Sequence, residues 1–229
     1  MFISVIIPTR NRPEFLRQAA ASVLAQDHVD LELIIVNDGE TKIREFGDSR
    51  VRVLDSGQAG AVPARNYGVS QAKGEAIAWL DDDDVWTDDC FLSASAGCLS
   101  AASDFVFGDG VLVFADATRS VFAKNASPES LQHDNTILIS AVCYRKCLHH
   151  SLGMFDEALP YYWDWDWYLR VARAEHLMTR LMTPVVDIRI HANNMSGTAN
   201  AAARTENLAL FCSKHQLPII PLKSHIDLV

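Results

Sequence analysis

The opening third of the sequence alternates between apolar runs and segments with helical spacing, and this alternation limits the possible folds more than any other feature. The continuous apolar, β-branched run 2–8 predicts a strand buried on both faces, and 31–38 predicts a second buried strand. Residues 51–55 predict a third, shorter strand and residues 75–81 a fourth. After the first run, Asn11 and Glu14 predict a capping box with Pro13 in the first helical turn. Residues 60–73 predict a second helix. Such alternation requires a parallel sheet with helical crossovers.

The second half of the sequence is less regular. Its predicted elements are, in order, 104–116 (strand or hairpin), 135–146 (strand), 163–175 (helix), 185–191 (strand) and 199–215 (closing helix). No internal repeat, low-complexity tract or linker interrupts the chain. We therefore expect a single α/β domain over residues 1–229.

The composition limits the classes of partner. The 229 residues carry a net charge of −9, which argues against nucleic acid as a main partner because phosphate backbones require basic surfaces. No apolar run approaches the roughly 18 residues of a membrane span, and the start of the chain lacks the basic region of a signal peptide. The cysteines are odd in number and lack zinc-ribbon spacing, which predicts reduced thiols in the cytoplasm.

Polar clusters follow three of the predicted strands. "PTRNR" follows the first strand, "NDGE" the second and four aspartates the fourth. Ligands of open parallel sheets bind beyond the carboxyl ends of the strands, so these clusters predict a cleft at that edge. Asp38, directly after the second strand, can accept hydrogen bonds from a base N–H or a ribose hydroxyl. The alternative is an ordinary turn aspartate before Gly39.

The four consecutive aspartates, Asp81 to Asp84, repel one another and need a counter-charge. In extended backbone Asp81 and Asp83 point to the same side, and two such carboxylates suit a hard divalent cation, Mg²⁺ or Mn²⁺. Asp82 and Asp84 are then expected to be helpers in the loop or solvent-facing acids. The alternative for the whole run is a solvated acidic loop that caps the helix near residue 88.

Two clusters in the second half also carry chemistry. His191 ends a predicted strand before a polar loop, so a structural role and a ligand role both stay open. Asp164 and Asp166 lie among the aromatic residues of "YYWDWDWYLR", whose rings suit the apolar faces of a sugar. Asp164 is interpreted as a helix N-cap, as a general base, or as both.

Five segments in order resemble the motifs of family 2 glycosyltransferases with the GT-A fold. They are "SVIIPTRNR", "LELIIVNDGE", "GAVPARNYGVSQAKGEAIAWLDDDDVW", "LGMFDEALPYYWDWDWYLRVA" and "IRIHANNMS", within residues 3–197. The resemblance implies a Rossmann-like, mostly parallel central sheet flanked by helices, with a smaller acceptor-side sheet. Residues 1–100 would form the nucleotide-sugar-binding half, and residues 101–229 the acceptor-binding half and closing helix.

The resemblance also implies a role for each matching residue. Donor and nucleotide contacts are implied at Pro8, Thr9, Arg10, Asp38, Arg65, Asp81 and Asp82. Asp83 and His191 would bind Mn²⁺ or Mg²⁺, and Asp164 aligns with the catalytic base. The implied acceptor side comprises Asp156, Trp163 and Asp166, of which the two aspartates are alternative bases or acceptor contacts. Trp163 stands where the family has a glutamate, so the family's acidic pair is incomplete.

The implied function is metal-dependent, inverting transfer of a sugar from a nucleotide diphosphate sugar, with UDP as the default carrier. The acceptor would be a hydroxyl of a glycan or lipid-linked molecule in surface polysaccharide synthesis. The implied location is the cytoplasm, with peripheral contact at the inner face of a membrane as an option. The sequence lacks the Q-x-x-R-W motif of processive membrane synthases.

Two alternative functions stay open. Trp163 in place of glutamate suggests a non-catalytic nucleotide-sugar-binding protein. The stretch "AWLDDDDVW" also fits the motif of haloacid dehalogenase-like phosphatases, in which the first aspartate is a nucleophile. That motif normally follows the first strand of the sheet, whereas here it follows the fourth.

Overall fold

The structure is a computed structural model that describes residues 1–191, 194–195 and 198–229. The strands are β1 (Ile3–Thr9), β2 (Leu31–Asn37), β3 (Val51–Asp55), β4 (Ala76–Trp79), β5 (Val85–Trp86), β6 (Phe105–Val113), β7 (Arg119–Phe122), β8 (Val142–Arg145) and β9 (Met178–Arg189). The α-helices are α1 (Pro13–Leu24), α2 (Ala61–Gln71), α3 (Phe91–Ala101), α4 (Leu148–Leu152), α5 (Trp163–Arg173) and α6 (Ala201–His215). Short 3-10 helices occupy Ser130–Gln132, Ile139–Ala141, Thr198–Asn200 and His225–Leu228.

In the described part of the chain, one sheet of nine strands has the order β3-β2-β1-β4-β8-β6-β9-β5, with β7 paired to β6. The first four strands are mutually parallel, as the alternating sequence predicted. Strand β8 then joins β4 in the antiparallel sense, and β6 and β9 continue from it. The predicted smaller acceptor-side sheet is therefore a continuation of the central sheet, and the segment 104–116 is the first part of the β6–β7 hairpin.

The sheet separates two apolar cores. Every residue of β1 and β2 is buried, because helices cover both faces of the parallel strands. Successive residues of β1 point to opposite faces, so Ile6 packs into the core beside α2 and α5, while Val5 and Ile7 pack into the core beside α1 and α3. Helix α2 approaches the sheet closely at Gly68, where a Cβ atom would lie 2.8 Å from Ile6.

The start of α1 differs from the predicted capping box. The helix begins at Pro13, as expected, but the N-cap residue is Arg12 and has no side-chain cap. Asn11 instead adopts a positive φ of 58°, and its Oδ1 accepts backbone N–H bonds from Glu40 and Thr41 at 3.0 Å. Asn11 thus ties the loop after β1 to the loop after β2, a long-range contact that local spacing does not reveal.

Helix α5 is the most buried helix of the second half, and it carries a charged network centred on Asp166. Asp166 is fully buried, and its carboxylate forms hydrogen bonds or ion pairs with His215 Nε2 at 2.8 Å, Lys214 Nζ at 2.7 Å and Arg170 Nε at 2.9 Å. Burial would raise the pKa of Asp166, but the hydrogen bonds from His215 and Lys214 outweigh it and hold the pKa at about 2. Asp166 therefore joins α5 to α6.

No α-helix among the described residues combines the length and the apolar character needed to cross a lipid bilayer.

We predict that Asp166→Ala lowers the free energy of unfolding by about 3–5 kcal/mol, because it leaves the buried His215 ring and the mostly buried Arg170 guanidinium without their carboxylate partner. The matched control is Asp156→Ala, which removes a half-exposed ion pair with the same Lys214 and should cost about 1 kcal/mol or less. Urea unfolding of both variants measures the difference. The contribution of Asp166 to the free energy of unfolding is present above its unfolded-state pKa of about 4 and is lost as the pH falls toward its folded-state pKa of about 2. The difference in stability between the wild type and Asp166→Ala should therefore narrow in acid. Equal losses for the two variants would contradict the assignment.

Candidate active site

A cleft of about 520 Å³ opens at the carboxyl ends of β1, β2 and β4, where the three polar clusters of the sequence meet. Its floor and one wall come from the loops that follow those strands. The other wall comes from the start of α5, from α6 and from the segment before β8. The last part of the chain completes this wall through Ile220, Pro221, Lys223, Ser224 and Leu228.

The end of the cleft next to β1 and β2 is lined by Pro8, Thr9, Arg10 and Asp38. Asp38 is buried, and its Oδ1 accepts hydrogen bonds from Ser56 Oγ at 2.6 Å and from the N–H of Gly60 at 3.1 Å. These contacts fix one carboxylate oxygen of Asp38 in place and orient the side chain. The prediction of a site at Asp38 did not include these two partners.

Gly60 precedes α2 with a φ of 107°, a conformation that favours glycine. The glycine-containing loop before α2 was visible in the sequence, but its contact with Asp38 depends on the parallel packing of β2 and β3.

The four aspartates do not continue strand β4. The strand ends at Trp79, and the chain turns so that the N–H of Asp84 bonds to the carbonyl of Asp81. The argument from extended alternation is therefore wrong, although the turn still gathers carboxylates. Oxygen atoms of Asp81, Asp83 and Asp84 lie within 4.8 Å of one another.

Asp82 and Asp84 are not the solvent-facing acids of the sequence interpretation. Both side chains are buried, and Asp82 Oδ2 accepts the Thr9 hydroxyl at 2.6 Å. Asp84 accepts the Ser140 hydroxyl at 2.6 Å and the N–H of Arg189 at 3.1 Å. The interpretation failed because Ser140 and Arg189 reach this turn from distant parts of the chain.

Three side chains from other elements supply positive charge or hydrogen bonds to this turn. Arg12 Nη1 lies 2.7 Å from Asp83 Oδ2 and 3.3 Å from Asp82 Oδ1. Arg65, on α2, pairs with Asp81 at 2.5 Å, and His191 Nε2 lies 3.0 Å from the same Oδ2 of Asp83. His191 is thus brought to the aspartate cluster, as the resemblance implied. Arg12 was not predicted, although it stands in the loop after the first strand.

The carboxylates of the turn are short of counter-charge. Burial raises the pKa of Asp82 to about 6, although the Thr9 hydroxyl opposes the shift. Burial also raises the pKa of Asp81, against the charge of Arg65, and that of Asp84, where Asp83 adds repulsion. Two guanidinium groups thus face four carboxyl groups in a poorly hydrated site. The oxygen donors and their excess negative charge fit a hard divalent cation.

Asp164 lies on the opposite wall of the cleft as the second residue of α5. The predicted N-cap role is wrong, because the N-cap is Tyr162. Asn135 Nδ2 donates a hydrogen bond of 3.0 Å to Asp164 Oδ2. Burial raises the pKa of Asp164 to about 6, with the Asn135 bond opposing the shift. A carboxyl group with this pKa is suited to accept a proton near neutral pH.

Trp163 lines the cleft and connects its two walls. The Arg65 guanidinium lies 4.5 Å from the Trp163 ring centroid, while the ring packs edge-on against Trp79 and Phe155. The ring that replaces the family's glutamate therefore holds the arginine paired with Asp81.

The structure does not bring the two alternative bases to the cleft. Asp156 pairs with Lys214 at 2.6 Å, and Asp166 belongs to the buried network described above. Neither residue lines the cavity. Asp164 is the member of the three that faces the aspartate cluster across the cleft.

The fold resembles those of solved glycosyltransferases. TarS of S. aureus, in complex with UDP-GlcNAc, superposes with a TM-score of 0.73 and 17% identity over 93% of this chain and 66% of that one. The mannosyltransferase PcManGT of Pyrobaculum calidifontis, in complex with GDP-Man and Mn²⁺, superposes with a TM-score of 0.66 and 15% identity, over 96% of this chain and 65% of that one. The chain thus spans about two thirds of each solved protein. At these identities the likeness concerns the fold alone, and it confirms the predicted GT-A architecture.

Sequence relatives extend the comparison. YwdF of Bacillus subtilis, an uncharacterised glycosyltransferase, is 31% identical over 98% of this chain and 88% of its own length. WfgD of Escherichia coli, a UDP-Glc:α-D-GlcNAc-diphosphoundecaprenol β-1,3-glucosyltransferase, is 26% identical over 73% of this chain and 67% of its own length. The model of glycosyl transferase family 2 matches residues 4–151. This chain is therefore a glycosyltransferase of family 2.

Proposed function

We propose that the protein transfers a sugar from a nucleotide diphosphate sugar, with UDP as the carrier, to a hydroxyl group of a glycan or lipid-linked acceptor. The observation that carries the proposal is the division of one cleft. A cluster of carboxylates and arginines occupies one wall, and the buried carboxyl group of Asp164, with its raised pKa, faces it from the other. Such a separation suits a donor held on one side and an acceptor activated on the other.

The donor side is assigned to residues 1–100. Asp38, held by Ser56 and Gly60, would accept the base N–H or a ribose hydroxyl, with Pro8, Thr9 and Arg10 beside it. Asp82, fixed by Thr9, would support this loop, and Asp81 would contact the ribose or the donor sugar. Arg65, now paired with Asp81, would contact the diphosphate.

The metal assigned to this site is Mn²⁺ or Mg²⁺. Asp83 would be a ligand, with Asp81 and Asp84 close enough to share the ion and His191 next to Asp83. A bound divalent cation would neutralise charge on the diphosphate leaving group. The relevant fit is chemical: the cluster offers hard oxygen atoms and an uncompensated negative charge.

On the acceptor side, Asp164 would accept the proton of the attacking hydroxyl. The acceptor oxygen forms a bond to the anomeric carbon, the bond from that carbon to the diphosphate breaks, and the nucleoside diphosphate leaves with the electron pair. Attack from the side opposite the leaving group inverts the anomeric configuration. The wall of residues 101–229 would bind the acceptor, with Trp163 stacking against a sugar.

One relative supports the proposed acceptor class. WfgD is named for a substrate linked through diphosphate to a lipid, undecaprenol. By analogy, we assign this protein to surface polysaccharide synthesis on a lipid-linked acceptor, at the inner face of a membrane. Membership of family 2 leaves the phosphatase alternative without support. Turnover of a donor sugar separates an enzyme from a binding protein.

We predict that nucleotides raise the thermal stability of the protein in the presence of Mn²⁺. A ligand at one hundred times its dissociation constant stabilises the folded state by about 2.7 kcal/mol. A thermal-shift screen with UDP, GDP, UDP-glucose, UDP-N-acetylglucosamine and GDP-mannose, each with and without MnCl₂, measures the effect. Absence of a shift with every nucleotide and metal would overturn the proposed function.

Asp83→Asn should weaken Mn²⁺ binding by roughly tenfold or more, because the site loses a charged ligand and about 1.4 kcal/mol corresponds to each factor of ten. Titration calorimetry with MnCl₂ in the presence of UDP measures the change. The matched control is Asp89→Asn, which removes an equal charge from an exposed position in the next loop, between β5 and α3, and should leave binding unchanged. The same affinity in both variants would remove Asp83 from the metal site.

Asp164→Asn should lower kcat by roughly 10²–10⁴-fold, the usual contribution of a general base, while donor binding stays near that of the wild type. Metal-dependent release of UDP from the donor that stabilises the protein measures turnover, and the thermal shift measures donor binding. Asp156→Asn, which alters a carboxyl group outside the cleft, serves as the control and should retain activity. Full activity of Asp164→Asn would disprove the base assignment.

A further inference from the structure

Asn135 lies in a part of the chain to which neither the sequence motifs nor the family comparison gives a role. It lines the acceptor side of the cleft, and its Nδ2 donates to Asp164 Oδ2 at 3.0 Å. Among the described residues, this is the one side-chain hydrogen bond that reaches the Asp164 carboxyl group. The amide therefore helps to orient that carboxyl group, together with the backbone N–H of Trp165.

The backbone around Asn135 is held on both sides. Leu131, four residues earlier, is fully buried, and its carbonyl accepts Trp165 Nε1 from α5 at 2.7 Å. Ile137, two residues later, is also buried in the core beside α5. The segment is thus clamped to the same helix that carries Asp164, which sets the separation between the amide and the carboxyl group.

Among the residues that the structure describes, the carbonyl oxygen of the Asn135 side chain forms no stabilising hydrogen bond that would explain this position. Within the described part of the chain, Asn135 Oδ1 is buried and has no hydrogen-bond partner. An unpaired buried carbonyl is destabilising, so the side chain is poorly explained as a device for stability alone. What the position does provide is an N–H group directed at Asp164.

We propose that Asn135 is a positioning residue for the transfer reaction: its side-chain N–H holds the Asp164 carboxylate in the orientation and ionised form that accept the acceptor proton. This inference rests on the proposed role of Asp164 as the base. An N–H donor stabilises a carboxylate relative to the neutral acid, which matches the direction of the Asn135 effect on the Asp164 pKa.

Other charged or titratable groups also face Asp164, and they act through space. Arg65 from α2 lowers the Asp164 pKa, and Asp81 from the loop after β4 raises it. The phenol groups of Tyr162 and Tyr168 flank it from the chain that leads into and forms α5. The Asn135 variants leave all four groups in place, so a change in titration reports the lost hydrogen bond.

The test compares Asn135→Ala and Asn135→Asp with the wild type in the full chain. Carbon-13 NMR of protein labelled at the aspartate Cγ follows the Asp164 carboxyl group, identified by its absence in Asp164→Asn. We expect a wild-type midpoint near pH 6. Asn135→Ala should raise it by about one to two pH units, the equivalent of one hydrogen bond to a charged group. Asn135→Asp should raise it further, because it places a second carboxylate against the first.

The matched control is Gln132→Ala, which removes an amide from the same segment that bonds to Pro128 rather than to the cleft. Its midpoint should equal that of the wild type. An unchanged midpoint in Asn135→Ala, or an equal shift in Gln132→Ala, would overturn the inference. This measurement requires no donor, no metal and no turnover.

Kinetics gives the second readout, with UDP release from the donor as the probe. Asn135→Ala should lower kcat by roughly tenfold to a hundredfold at pH 6.5, with little change in the donor KM. Activity is lost as the pH falls through the Asp164 pKa, so the acid limb of the profile should move to higher pH. If Asp164→Asn is inactive while the Asn135 variants keep wild-type activity, the role of Asn135 is refuted and the role of Asp164 stands. If Asp164→Asn is active, the assignment of Asp164 as the base is refuted.

Discussion

Four carboxyl groups at the end of β4 impose the constraint around which the cleft is built. Each must be hydrogen-bonded or paired, because an unpaired carboxylate beside apolar strands is costly. The partners come from the loop after β1, from α2, from the segment before β8 and from the end of β9. The same contacts that make the turn tolerable therefore draw the separate elements of the domain to one place.

Helix α5 carries both a structural carboxyl group, Asp166, and a carboxyl group of the cleft, Asp164. Its two aspartates stand two residues apart and so point to different sides of the helix. Asp166 joins the helix to α6 through hydrogen bonds from His215 and Lys214, while Asp164 faces the cleft with Asn135 as its side-chain donor. Opposite pKa shifts follow from these surroundings, since one carboxyl group is surrounded by positive charge and the other mainly by desolvating walls.

Much of the first half could be predicted from the sequence. Continuous apolar runs predicted β1 and β2 to within a residue, because strands buried on both faces carry an unbroken pattern. The shorter β3 also lies at its predicted residues, but it is a partly exposed edge strand. The residues of the cleft edge were found by the same logic, since parallel strands end together. The failures were long-range contacts. Asn11 bonds to the loop after β2 instead of capping α1, and Asp84 is buried by residues far along the chain.

The acceptor wall illustrates a different limit. Asn135 has no motif around it, and its relevance depends on a carbonyl–indole bond between Leu131 and Trp165. Propensity and periodicity do not report such a contact, because each partner is ordinary in its own segment. Trp163 was noted as a departure from the family pattern, but its packing over Arg65 became apparent only with the fold.

Much of the second wall of the cleft comes from residues that lie late in the chain. The carboxylate turn and its arginines fall within residues 4–151, the part matched by the family model, whereas α5, α6 and the lining residues from Ile220 to Leu228 fall beyond it. The segment 133–139 of this second wall lies inside the matched range, so the wall combines both parts of the chain. Trp163 and Trp165 line this wall and also pack in the apolar core, so a substitution can reshape the cleft without disturbing the fold only at side chains that the core does not use.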